Sequence, residues 1–165
     1  MNNISFSQFI PPSQVSKSAG TWTPTLASNV LYERRTAADA SFSLYIPIRI
    51  MGNSVALQGC KLSSVEVIFN ITTAAADDFA TVELEKCSMS AAGVVTGAAV
   101  TITQDTGNDT AAERKATGTH RMTVTLTTPE WVDNDVYYVL VLTVDAAAGT
   151  VFDLYGAIAN FTLRA

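Results

Sequence analysis

The chain is predicted to be all-β: a two-sheet antiparallel sandwich, jelly roll preferred over an immunoglobulin-like order, with an extended N-terminal arm. Three observations predict it. From residue 40 onward apolar and polar residues alternate at period two, and no segment sustains the spacing of an amphipathic helix. Turn-forming clusters near 52–54, 91–97, 129–135 and 145–149 cut the chain into strand-length pieces at sandwich spacing.

Residues 1–20 differ in character from the rest. Ile4, Phe6, Phe9 and Ile10 are scattered among Ser, Gln, Asn and Pro, which predicts an arm with little ability to fold alone. It is expected to lie on its own sandwich or on a neighbouring subunit, to act in assembly, and to be removable without loss of the fold. Residues 21–165 form the single sandwich domain.

Within it, TWTPT and NVLYE are weak strands. SFSLYIPIRI is the clearest, with Phe42, Leu44, Ile46, Ile48 and Ile50 on one face and Pro47 marking an edge or a bulge. VEVIFNI (Val65, Val67, Phe69 and Ile71 inward) and ATVELEK (Ala80, Val82 and Leu84 inward) are expected to pair as a hairpin across TTAAADD. Val100 and Ile102 mark a short strand, and residues 105–118 an exposed loop with a helical turn through AAERK. His120, Met122, Val124 and Leu126 line the next strand. Residues 136–144, apolar on both faces, should be central, and 150–163 form a last strand broken near Gly156.

Composition narrows the function. The 165 residues carry 10 basic and 15 acidic side chains, a net charge of -5, with 48% hydrophobic and 15% charged residues. That balance argues against disorder and coiled coil, and against nucleic acid or an anionic membrane as partner. No stretch approaches the ~20 apolar residues of a membrane-spanning helix. The opening residues lack a signal-peptide pattern, so synthesis in a cytoplasm is expected.

Catalytic chemistry finds little support. No GxSxG, HExxH, CxxC or P-loop pattern occurs, and His120, the one imidazole, is expected to cap the core edge through a backbone hydrogen bond. In the expected hairpin Glu66 faces Glu85 with Glu83 beside them, a like-charge group that cation binding or glycosidase-type catalysis would explain, and that a solvated face relieved by Lys86, or a subunit contact, explains without either. Asp133 with Asp135, and Asp105 with Asp109, are alternative calcium donors without EF-hand spacing. The expectation is no metal, no cofactor and no catalytic residues. The same register leaves Cys60 four residues, about 13 Å, beyond the position facing Cys87, outside the ~7 Å reach of a disulfide, so both thiols are expected free. Aromatics are the remaining lead: Tyr45, Trp131 and Tyr137, with Trp22 and Tyr155, are candidates for a ligand or interface surface.

The run TLTTPEWVDNDVYYVLVLTVDAAAGTVFDLYGAIANFTL, preceded by LSSVEVIFN, TAAADDFATVELEK and TGTHRMTVTL, resembles small β-sandwich structural proteins of tailed-phage virions, over residues 38 to 163. The resemblance implies a non-enzymatic virion component, a head decoration or minor capsid protein, self-associating as a homotrimer and binding the major capsid or tail proteins of the same particle. It also implies, as the alternative, the receptor-binding head of a tail fibre, and the aromatic residues named above add a carbohydrate-binding module to that alternative, with a host glycan as partner.

Overall fold

The computed structural model describes residues 3–50, 53–54, 57–58, 60–132 and 135–164. Among the described residues fourteen strands and two helical turns follow in chain order: β1 (Asn3–Ile10), a 3-10 turn (Pro12–Gln14), β2 (Ser16–Lys17), β3 (Trp22–Ala27), β4 (Val30–Arg35), β5 (Ala40–Arg49), β6 (Asn53–Ser54), β7 (Leu57–Gln58), β8 (Cys60–Thr72), β9 (Asp78–Met89), β10 (Val95–Val100), β11 (Ile102–Gln104), α1 (Ala111–Arg114), β12 (Gly118–Leu126), β13 (Val136–Ala146) and β14 (Val151–Arg164). Sheet A runs β11-β12-β8-β14-β4-β3, with β1 also on β14; sheet B runs β10-β9-β13-β5-β2.

Eight of these strands make a jelly roll. The order β4-β14-β8-β12 in one sheet packs on β5-β13-β9-β10 in the other, and the chain changes sheet at each step from β4 to β5, β8 to β9, β12 to β13 and β13 to β14. The inner faces carry the alternation read from the sequence. Phe42, Leu44, Ile46 and Ile48 of β5 and Leu140, Leu142 and Val144 of β13 meet Val65, Val67, Phe69 and Ile71 of β8 and Met122 and Val124 of β12, all at most 1% exposed. β13 is the middle strand of sheet B, as its two apolar faces require. Pro47 lies on the stretch of β5 beyond β2, which pairs only with Leu44 and Tyr45, so the missing N–H interrupts no ladder there.

The expected hairpin between residues 60–72 and 79–90 does not form. β8 pairs with β12 and β14 in sheet A, while β9 pairs with β10 and β13 in sheet B. Period two fixes which residues share a face and leaves the partner strand open, and here the chain crosses sheets after Thr72. Glu66 and Glu85 therefore stand on opposite sides of the sandwich. Cys60 and Cys87 form no disulfide, as expected, but because their strands belong to different sheets.

Two bulges also move residues off their expected parity. Ser64 pairs with Asn160 and Leu62 with Phe161, so Ser63 is the extra residue, and Cys60, which the alternation of Val65, Val67, Phe69 and Ile71 would turn outward, is instead fully buried. A register shift between Thr143 and Asp145 against β9 puts Phe79 in the core and leaves Ala80 exposed. The polar loop holds the expected helical turn, closed by a capping box between Thr110 and Glu113. Arg114 anchors it from beneath, donating to the carbonyls of Phe79, Asn108 and Ala80. His120 caps the core edge as expected: its ring stacks on Phe69 at 4.7 Å, with Nε2 2.9 Å from the Ala116 carbonyl.

The first residues lie on their own sandwich. Asn3–Ile10 runs antiparallel to β14 over eight residue pairs, Phe6 stacks on Phe161 at 5.0 Å, and Ile10 is 2% exposed, whereas Ile4 and Phe9 are 51% and 56% exposed. Burying Ile10 and part of Phe6 stabilises the sandwich by about 3 kcal/mol. Removing residues 1–11 is therefore expected to lower the Tm by about 6 °C or more in scanning calorimetry; an unchanged Tm would show that β1 adds nothing to the fold.

Candidate functional site

The solvent-side face of sheet A gathers the most chemistry at one place, the point along β14 where its partner changes from β4 to β1. Phe152, Asp153 and Leu154 pair with β4, Ala157 onward with β1, and the register against β8 slips between Leu154 and Gly156. This bulge puts Tyr155 and Gly156 on the same outward side. Gly156 has φ +128, and a Cβ there would stand 2.6 Å from the Ile10 carbonyl oxygen and 3.0 Å from the Phe9 ring. Phe9 thus covers the bare glycine backbone from outside while the rest of its ring stays in solvent.

Beside it, Tyr155 and Tyr32 lie with ring centroids 5.2 Å apart at 49°. The alternation of β4 places Tyr32 and Arg34 outward and Arg35 inward. Arg34 spans the tyrosine at 5.4 Å and grips Asp153 with two parallel hydrogen bonds, Nε donating to Oδ1 at 2.7 Å and Nη2 to Oδ2 at 2.8 Å. The Asp153 side chain is 2% exposed and that of Arg34 42%, so the carboxylate is shielded and the guanidinium edge faces water. The bond to Asp153 lifts the Arg34 pKa further above its ordinary value. Burial foremost, then the field of Asp153, lifts the Tyr155 phenol, and Asn70 opposes this by hydrogen-bonding it.

Further down the same face Arg121 Nε donates to Glu66, and Asn160 Nδ2 donates to Glu66 Oε1 at 3.1 Å. Asn160 also accepts from the Ser7 hydroxyl at 2.6 Å, which ties β1 into this polar row.

The sequence candidates separate. Tyr45 and Tyr137 both lie outward on sheet B, opposite Val141 and Arg49 respectively. They are four positions, about 13 Å, apart along the strands. Trp131 belongs to the end of the sandwich, with the Lys61 ammonium 5.1 Å from its ring. Phe9, assigned to the arm, and Tyr155, in the wider aromatic set, come together on sheet A, while Ile4 and Phe6 accompany β1 and Ile10 enters the core. Tyr32, Arg34, Asn70 and Asp153 were missed. The signal available was period two itself, since Tyr32 and Arg34 share a parity, but the neighbour relation to β14 is invisible along the chain. Glu66 is answered by Arg121 rather than crowded by Glu83 and Glu85. Asp133 lies outside the described residues. Asp105 is engaged within the fold, accepting from the Thr123 N–H of β12 and from Asn108 Nδ2 in its own loop. Among the described residues no group of three or more potential ligands is placed to hold a metal.

No protein-family model matches the chain, and a search of curated proteins finds no match. Solved structures of similar shape include the carbohydrate-binding module TmCBM61 in complex with β-1,4-galactotriose (10% identity, 94% of this chain and 86% of that one, TM-score 0.40). Basic winged bean lectin with Tn-antigen is another (11%, 99% and 100%, 0.37). So is the enzymatically active domain of bacteriophage CBA120 tailspike protein 4 (7%, 93% and 19%, 0.36). At these values the function of this chain does not follow from theirs.

Glu66 generates a prediction. The hydrogen bond from Arg121 holds its carboxyl below the ordinary glutamate value. A depressed folded-state pKa contributes stability above the unfolded value, and that contribution is lost as pH falls through the folded one. Urea melts between pH 6 and 3 should show wild type losing stability below about pH 4.5, with Glu66→Gln losing less over the same interval; parallel curves would contradict the pairing.

Proposed function

We propose that this chain is a non-enzymatic glycan-binding module whose binding surface is the outer face of sheet A at the junction of β1, β4 and β14. One observation carries the reading: a bidentate arginine–carboxylate pair and a carboxamide stand beside two tyrosines and a half-exposed phenylalanine on rigid strands. A sugar ring has an apolar C–H face and an edge of hydroxyls that donate and accept. Phe9 and Tyr155 offer the first a flat support. The outer edge of Arg34 and the amide of Asn70 offer the second planar polar groups in fixed positions. Strand placement lowers the entropy lost on binding. The carboxylates of this face, Asp153 and Glu66, are each engaged by an arginine, which supports binding without turnover. The proposed partner is a neutral host glycan.

A glycan array followed by titration calorimetry tests this. Phe9→Ala and Tyr155→Ala should each weaken binding of a retained oligosaccharide by about tenfold. Arg34→Lys, which keeps the charge and loses the fork, should weaken it comparably. Tyr45→Ala should change nothing. An array that retains no glycan, or binding lost on Tyr45→Ala and kept on Phe9→Ala, defeats the reading.

A second reading, a self-associating structural component of a virion, is favoured by the β3–β4 hairpin. Leu26 and Leu31 pair across it and are 71% and 58% exposed although they belong to the inward parity. The hairpin stands at the edge of sheet A with these side chains uncovered, and a second copy of this chain, in a homotrimer docked on capsid or tail proteins, is the proposed cover. Light scattering should then report an oligomer that Leu26→Ser dissociates; a wild-type monomer at high concentration removes this reading.

A further inference from the structure

The sandwich is open along one side, where the chain leaves sheet B at Val100 and enters sheet A at Ile102. A groove of about 290 Å³ lies there. One cross-strand row of sheet B forms its base: Tyr138 of β13 opposite Lys86 of β9, and Lys86 opposite Ala98 of β10. The row shares the inward parity of Tyr138, which is 1% exposed, so Lys86 is a lysine on the inner side of a sandwich. Its ammonium meets Glu130 Oε2 at 2.6 Å at the mouth, with side-chain exposures of 26% and 59%.

An inward lysine can guard a sheet edge against pairing with another chain. That role leaves two observations unexplained. Ala98, on the inward row, presents only a methyl group to the wall, so the space is kept open, near the lower bound of the ~300–1,000 Å³ typical of ligand pockets. And the Tyr138 hydroxyl, which has no hydrogen-bond partner among the described residues, is not sealed into the core with the rest of its ring: Tyr138 lines the groove, where an entering group can reach it.

We infer that this groove is a second ligand site, taking a single neutral hydroxyl-rich ring, such as the terminal residue of a glycan. Lys86 and Glu130 set one donor and one acceptor side by side, at the spacing of two neighbouring hydroxyls on a ring. The Tyr138 hydroxyl supplies the third polar contact at the floor, and Thr101 and Thr128 border the space. Ala98 and Leu126 give the C–H face of the ring an apolar wall. The ligand class rests on the glycan-binding reading; the position does not, since this groove and the Phe9–Tyr155 platform involve different residues on different parts of the sandwich.

Amide shifts of the full chain, titrated separately with D-glucose, D-galactose, N-acetylglucosamine and glycerol, test it. At least one sugar should move the amides of Lys86, Ala98 to Thr101 and Tyr138 saturably, and glycerol should not. Tyr138→Phe removes a hydroxyl the fold does not use, so it should weaken the titration roughly threefold to tenfold while leaving the Tm unchanged, and Glu130→Gln should weaken it similarly. Phe9→Ala should leave these shifts intact. No saturable shift in the groove with any of the three sugars overturns the inference, even if amides around Phe9 and Tyr155 respond. Groove shifts that glycerol reproduces, or that survive both Tyr138→Phe and Glu130→Gln, overturn it as well. Groove shifts with a silent platform would instead keep this site and remove the other.

Discussion

Strand β14 is the constraint on which the rest depends. It is flanked along its length by β8 and, on the other side, by β4 and then β1. Two partners in series cannot follow one edge without a change of course, and the bulge at Tyr155 and Gly156 supplies it. A side chain at Gly156 would collide with the Ile10 carbonyl. The glycine therefore admits β1, and β1 brings Phe9 over the glycine. The same displacement turns Tyr155 outward against Tyr32. The surface read here as a binding platform is thus a consequence of how sheet A is closed.

Buried arginines fix the outer strands in comparable fashion. Arg35 is fully buried, with its guanidinium 4.6 Å from the Phe42 ring, and donates to the carbonyls of Ala38 and Ala40, which orders the step from sheet A to sheet B. Its Nε has no partner among the described residues, and burial lowers its pKa. Gly20, at φ +92, leaves the space this side chain occupies, since a Cβ there would stand 2.7 Å from Nε. Arg114 does for the 105–118 loop what Arg35 does for residues 36–40. In both cases an arginine replaces missing backbone partners in a segment too irregular to satisfy its own carbonyls.

The fold class was legible because alternation and turns are local signals. Phe42 to Ile48 and Val65 to Ile71 announce their buried faces without reference to any partner. Pairing was not legible. VEVIFNI and ATVELEK are joined by a turn-like segment, and nothing in them opposes a hairpin, yet they belong to opposite sheets. The error propagated to the Glu66–Glu85 group, which does not exist. Bulges were equally hidden: Cys60 and Phe79 moved to the core because single extra residues reversed the parity beyond them. The site was half legible. Phe9 was noticed as an apolar residue of the arm and Tyr155 for its aromatic ring, and the two were assigned to different roles. Arg34 and Asp153 are separated by 119 positions, and only the pairing of β4 with β14 makes them a pair.

The central claim is that the β14 junction both closes sheet A and presents a ligand surface. A crystal structure of the chain with an oligosaccharide selected on a glycan array tests it most directly. A sugar ring seated on Phe9 and Tyr155, with hydroxyls bonded to Arg34 or Asn70, is the predicted result. A ring seated instead across Tyr45 and Tyr137 on sheet B, with the β14 junction bare, would contradict the account.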